Sequence, residues 1–107
     1  MNLGLIVRPE AEQDIKDAYI WYEERLNGLG EQFITAVDEG MLLVSREPEI
    51  FQKVYRSLRR ALIHRFPYGI FYTIEPSGIV VLAVMHTSRP PSKWKQRAKD
   101  SQETHRK

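Results

Sequence analysis

The sequence contains no cysteine, and this absence excludes a disulfide framework, a thiolate zinc site and a cysteine nucleophile. Its six glycines are scattered singly instead of being gathered into a phosphate-binding loop, and no Gly-x-Ser-x-Gly nucleophile motif occurs. The three histidines, His64, His86 and His105, do not have the spacing of metal ligands. We therefore expect neither a metal ion nor another cofactor.

Long hydrophobic runs are also missing. The apolar stretch near the start covers only residues 3–7 and is followed at once by acidic residues. Because this is too short for a signal peptide or a membrane span, we expect a cytoplasmic protein that makes no contact with a membrane. The length of 107 residues fits one domain, which can bury roughly 60–70% of its unfolded surface and needs no cross-links to fold.

Charge is distributed unevenly along the chain, although the net charge is only +2. Residues 1–51 contain four lysines and arginines and eleven aspartates and glutamates, which gives this half a net charge of −7. Residues 52–107 contain twelve lysines and arginines and three aspartates and glutamates, which gives a net charge of +9. The alternative is an ordinary mixed surface, but a difference this large favours a basic face that attracts a polyanion or an acidic protein surface.

The N-terminal half has the pattern of a strand followed by a helix hairpin. Residues 3–7 predict a short strand, and Pro9 stands where a helix begins, with acidic residues in the first turn. Apolar residues at helical spacing continue to Gly28, which predicts the end of the helix. A second amphipathic helix is predicted from Glu31 to just before Pro48, and the short connection favours antiparallel packing.

The C-terminal half has the pattern of three strands. Residues 55–64 and 70–74 alternate between polar and apolar side chains, and residues 75–78 predict a hairpin loop. Residues 79–85 are apolar at every position, which is typical of a central strand that is buried on both faces.

The order of these elements predicts an α+β fold, β-α-α-β-β-β, in which the helix hairpin packs on a small, mainly antiparallel sheet. We expect a domain over residues 1–95. Residues 96–107 are rich in lysine and arginine and predict a disordered tail.

Arginines dominate the first predicted strand of the C-terminal half. Strict alternation would place Arg56 and Arg60 on one face, with Arg59 and Arg65 on the other. Such a strand belongs near the edge of a sheet, where guanidinium groups bind phosphates or carboxylates in two-point fashion. Protection of an edge strand by charge is the competing interpretation.

A second polar cluster follows the buried strand and contains His86, Arg89, Lys93 and Trp94. An imidazole and a guanidinium three residues apart at the end of a strand could move a proton and hold a phosphate. A structural histidine that is simply hydrogen-bonded is the alternative. Trp94 could stack on a nucleic-acid base or cover the sheet.

Several of these motifs together resemble the RelE/ParE toxin superfamily. The resemblance rests on Arg65-Phe66-Pro67-Tyr68-Gly69-Ile70-Phe71-Tyr72, the strand Val80–Val84, and His86-x-x-Arg89-x-Pro91-x-x-Trp94. The opening Pro9-Glu10-Ala11-Glu12-x-Asp14-Ile15 is similar as well, so that the resemblance covers about residues 3–95.

The resemblance implies the toxin of a type II toxin–antitoxin system, of the kind also called a plasmid stabilisation protein. A cognate antitoxin would wrap a disordered segment around it to form a hetero-oligomer. ParE-like members inhibit DNA gyrase, whereas RelE-like members cut mRNA on the translating ribosome without a metal. RelE-like nucleases often have a tyrosine or histidine near the C-terminus that acts as an acid or base. In this sequence no tyrosine follows Tyr72, which favours the ParE-like branch.

Two alternatives stay open from the sequence. In a RelE-like mRNA endoribonuclease, the resemblance implies that His86 is the acid or base and that Arg65 and Arg89 stabilise the phosphate. The predicted RNA- or target-binding residues are Arg56, Arg59, Arg60, Lys93 and Trp94. The other alternative is an inactive relative that acts only as a binding module.

Overall fold

The computed structural model describes the backbone of residues 4–105 and the side chains of residues 4–101. The elements in chain order are β1 (Leu5–Val7), α1 (Pro9–Arg25), α2 (Leu29–Arg46), β2 (Lys53–Tyr55), β3 (Leu58–Leu62), β4 (Tyr68–Glu75), β5 (Gly78–His86) and α3 (Pro91–His105). Leu3, which was expected to begin the first strand, lies outside the described residues. Within the described residues, no helix is long and apolar enough to cross a membrane.

The described strands form one sheet in the order β1-β5-β4-β3-β2. Strand β1 is parallel to β5, and every other neighbouring pair is antiparallel. This confirms the predicted α+β fold, with a helix hairpin on a mainly antiparallel sheet. The structure adds the short strand β2 and the helix α3 to the predicted order.

The helix hairpin is closed by a side chain that caps α2 from the end of α1. The carboxylate of Glu23 accepts the backbone N–H groups of Gly28 at 2.8 Å and Gly30 at 2.9 Å. Gly28 immediately precedes α2 and has a φ of 92°. This left-handed conformation favours glycine, which adopts it at little cost. Gly28 was predicted to end α1, but that helix already ends at Arg25.

The sheet carries a hydrophobic core on each of its faces, as the uninterrupted apolar sequence of β5 predicts. On one face, the hairpin side chains Phe33 and Val44 pack with Tyr72 and other strand residues. On the other face, α3 packs Trp94 against Phe71. Because β5 lies between two layers of helix, residues 78–85 are buried at every position.

The arginine-rich segment forms two strands instead of the one predicted. A tight turn at Arg56, where φ is 54°, separates β2 from β3 and makes β2 the edge strand. Arg65 lies in the connection between β3 and β4 and also has a positive φ, of 74°. Strict alternation therefore fails for these two residues, whereas Arg59 and Arg60 do lie on opposite faces of β3, paired with Tyr72 and Phe71.

The predicted disordered tail also differs from the structure. Residues 96–105 form the second part of α3, while residues 106 and 107 lie outside the described residues. Two contacts hold this helix in place: the ring of Trp94 stacks on Phe71 of the sheet, and Arg97 forms an ion pair with Asp14 on α1. Neither contact can be read from the local composition, which is strongly polar.

Tyr72 ties the sheet to the segment that follows α2, and its replacement has an effect that depends on pH. Its hydroxyl donates to the carbonyl of Pro48 at 2.6 Å, so that Tyr72→Phe should lower the free energy of unfolding by about 1 kcal/mol at neutral pH. Burial raises the pKa of Tyr72 from 10.0 to about 12, against the opposing effect of Arg59.

Because the unfolded tyrosine then loses its proton first, its contribution to stability is complete below pH 10 and is lost as the pH rises to about 12. Urea unfolding at several alkaline pH values should therefore show the difference between wild type and Tyr72→Phe shrinking above pH 10. A constant difference would mean that this phenol titrates alike in both states.

Candidate functional site

A groove of about 730 Å³ lies between α1, the end of β5 and the start of α3. Apolar and aromatic side chains form much of its surface: Ala18, Trp21, Tyr22, Tyr68, Val84 and Met85. Polar and charged side chains complete it: Asp14, Asp17, His86, Arg89, Ser92, Lys93, Gln96 and Arg97. Since polar and charged groups converge beside apolar and aromatic side chains in one concave surface, this groove is the best candidate for a binding site.

One end of the groove is fixed by the ion pair between Asp14 and Arg97, which join α1 to α3. The two guanidinium nitrogens of Arg97 donate to the two carboxylate oxygens of Asp14, each at 3.0 Å. Asp14 also accepts the backbone N–H of Val84 at 3.0 Å, and Arg97 donates to the carbonyl of Leu82 at 2.7 Å. Because both charges are fully engaged, we assign this pair a structural role.

His86 stands at the end of β5 with one ring nitrogen already engaged. Its Nδ1 accepts the backbone N–H of Ser88 at 3.0 Å, and its ring packs in a T-shaped arrangement with Tyr68, with ring centres 5.3 Å apart. In the neutral ring the proton is then on Nε2, so this nitrogen can donate a hydrogen bond but cannot accept a proton.

Tyr68 lines the groove beside His86 and was not among the predicted site residues. Burial raises the pKa of Tyr68, Arg89 opposes this change, and Asp14 adds to it. The phenol therefore stays protonated at neutral pH and offers a hydroxyl to a ligand. Its place in the Phe66-Pro67-Tyr68 turn before a strand was the available signal, because such a position brings the side chain to the end of a strand, where loops and helix termini meet.

Arg89 and Lys93 form the basic wall of the groove, and both are exposed. They were both predicted as site residues, and the structure brings them together with His86. Arg65 was predicted to join this cluster, but it lies in the β3–β4 connection and does not line the groove.

The other predicted arginines are placed away from the groove. Arg59 donates to the carbonyls of Glu49 at 3.1 Å and Phe51 at 2.7 Å, so it holds the segment before β2. Arg60 lines a smaller cavity of about 260 Å³ on the α3 face of β3. Arg56 lies over the ring of Tyr55, with 4.8 Å between its guanidinium carbon and the ring centre.

Trp94 is part of the core and not of an accessible surface. Its side chain is 8% exposed and stacks on Phe71, with ring centres 5.2 Å apart and an angle of 22° between the rings. A base could not stack on this ring while α3 is docked. We therefore replace its predicted role in target binding with a structural one.

Trp21 is the most exposed of the aromatic residues that line the groove, and sequence analysis did not single it out. It is 49% exposed at the rim, and Arg25 covers one face of its ring at 3.4 Å from the centre. Trp21 precedes Tyr22, which follows the apolar spacing of α1, so a tryptophan next to the buried stripe was the available signal.

These features define a class of small α+β proteins in which a helix hairpin and a C-terminal helix enclose a mainly antiparallel sheet, that of the RelE/ParE superfamily. Residues 5–91 match the model of a family described as the ParE toxin of the type II toxin–antitoxin system ParDE. Because the match covers most of the chain, this protein belongs to the ParE toxin family. No curated protein has a significantly similar sequence.

Solved structures agree with this fold. A chain of the chromosomal ParDE toxin–antitoxin system from P. aeruginosa superposes with a TM-score of 0.60 and 18% sequence identity, over 78% of this chain and 95% of that one. A chain of the toxin–antitoxin complex RelBE2 from Mycobacterium tuberculosis gives a TM-score of 0.55 and 20% sequence identity, over 80% of this chain and 99% of that one. At these identities the likeness establishes the fold alone.

Proposed function

We propose that this ParE-type toxin inhibits DNA gyrase by binding it, without catalysing a reaction, and that a cognate antitoxin neutralises it. The observation that carries the proposal is the match of residues 5–91 to the ParE toxin family. The proposal places the protein in the cytoplasm, where gyrase acts. The similar structures come from a ParDE system and a RelBE2 complex, and this supports an antitoxin partner and a hetero-oligomeric complex.

The geometry around His86 supports a binding role over catalysis. A nuclease of this kind needs a base that takes the proton of the attacking ribose hydroxyl. The lone pair of neutral His86 is used by the N–H of Ser88, so Nε2 cannot serve as that base unless the hydrogen bond breaks. Arg65 lies outside the groove and Arg59 holds backbone carbonyls, so two of the predicted phosphate and RNA contacts are missing there.

A RelE-like endoribonuclease is the second candidate, and one observation favours it. Tyr68, His86 and Arg89 line the same groove, which places a hydroxyl, an imidazole and a guanidinium within one site. A phosphate bound there could meet Arg89, and an acid could come from Tyr68 or His86.

One substitution, with a matched control, separates these functions in growing cells. Under the gyrase proposal, induction of His86→Ala should inhibit growth to the same extent as the wild-type toxin, because the imidazole does no chemistry. The nuclease predicts a loss of roughly a hundredfold or more in activity for the same variant. Lys99→Ala, on an exposed part of α3 away from the groove, is the matched control.

The same cells provide a direct reading of RNA cleavage. Primer extension should find no new mRNA 5′ ends after induction if the proposal holds. Cuts that depend on translation and vanish in His86→Ala would refute it and establish the nuclease. A chain that inhibits growth in no form would instead be an inactive relative.

A further inference from the structure

The groove carries charges of opposite sign on its two walls. Arg89 and Lys93 stand on the side of α3, and Asp17 stands opposite on α1. None of the three forms an ion pair with any described residue; Asp17 only accepts a hydrogen bond from Gln13 at 2.8 Å. The two basic groups are therefore available to an acidic ligand.

Apolar side chains lie between these walls. Val84 and Met85, which are 2% and 8% exposed, close the bottom of the groove, and Trp21 and Tyr22 on α1 present aromatic surface to it. Half-exposed tryptophan beside a concave apolar surface is typical of the side chains that dominate protein–protein interfaces. The volume of about 730 Å³ suits a few side chains of a peptide.

We infer that this groove binds a segment of the antitoxin that places an acidic side chain against Arg89 and Lys93 and an aromatic or aliphatic side chain against Trp21. This inference rests on the proposed antitoxin partner and adds the surface and the chemistry of recognition. A peptide fits better than RNA because every nucleotide carries a negative charge, and a strand crossing the groove would bring phosphates towards Asp17 and the acidic helix α1.

Selection from a library of random peptides displayed on phage, with the purified protein as bait, tests the recognition chemistry. The selected peptides should combine aspartate or glutamate with aromatic or large aliphatic residues. Fluorescence anisotropy with a labelled selected peptide should then give a dissociation constant that rises roughly tenfold or more for Arg89→Glu combined with Lys93→Glu. Trp21→Ala should weaken binding by a similar factor.

Lys99→Glu is the matched control, because it reverses a charge on the same helix outside the groove and should leave peptide affinity within about twofold. A peptide whose acidic residues are changed to lysine should regain affinity for the Arg89→Glu, Lys93→Glu protein. Such a rescue requires direct contact, since a folding defect would not be repaired by a change in the peptide.

Two results would overturn the inference. One is a selected consensus that lacks acidic residues or binds the double variant as well as it binds the wild type. The other is a single-stranded RNA oligonucleotide that binds the wild type and not the double variant. A protein that binds the peptides as expected but has no effect on gyrase would refute the proposed function and leave the groove assignment intact.

Discussion

Replacing Trp94 with alanine is expected to lower the free energy of unfolding by about 3–5 kcal/mol, the usual cost of deleting a large buried aromatic side chain. The ring is 8% exposed and stacks on Phe71, so its removal opens a cavity between α3 and the sheet. It also weakens the attachment of α3, which carries one wall of the groove. Urea unfolding monitored by circular dichroism measures this loss of stability.

The matched control for this experiment is Lys99→Ala, on an exposed part of the same helix, which should change stability by less than about 0.5 kcal/mol. A loss below about 1 kcal/mol for Trp94→Ala would contradict the structural role. The predicted role of Trp94 in binding a target would then stand again.

The second large effect is expected at Asp14. Replacing Asp14 with alanine removes both hydrogen bonds of the ion pair with Arg97 and the acceptor of the Val84 N–H. The Arg97 side chain is only 22% exposed, so its charge is left partly desolvated without its partner. We expect the free energy of unfolding to fall by about 2–4 kcal/mol, less than for a fully buried pair because water reaches both groups.

Asp17→Ala provides the comparison, since Asp17 lies about one turn further along α1 and, among the described residues, only accepts a hydrogen bond from Gln13. It should cost less than about 0.5 kcal/mol. A double-mutant cycle of Asp14→Ala with Arg97→Ala should give a coupling free energy of at least about 1 kcal/mol. Additive losses would mean that the two side chains act independently.

Both predictions concern α3, and this helix also shows where sequence reasoning stops. Residues 79–85 predict a buried central strand from local pattern alone, because a strand covered on both faces needs apolar side chains at every position. Pro9 predicts the start of α1 in the same local way. The partners Asp14 and Arg97 are 83 residues apart, and no periodicity in either segment connects them.

The candidate site was predicted in part for the same reason. His86, Arg89 and Lys93 are close in sequence and share the groove, since they follow one strand into one helix. Arg65 was grouped with them by resemblance, but the path of the β3–β4 connection carries it elsewhere. Trp21 and Tyr68 reach the groove from two other elements, and only the tertiary fold could place them there.

Supercoiling of relaxed plasmid by purified DNA gyrase, with increasing amounts of this protein, tests the central claim most directly. Relaxation of the same plasmid by topoisomerase I is the control for effects on the DNA itself. The account predicts that gyrase is inhibited, that topoisomerase I is not, and that His86→Ala inhibits gyrase as strongly as the wild type. Unimpaired supercoiling at protein concentrations that cut mRNA on translating ribosomes would contradict it.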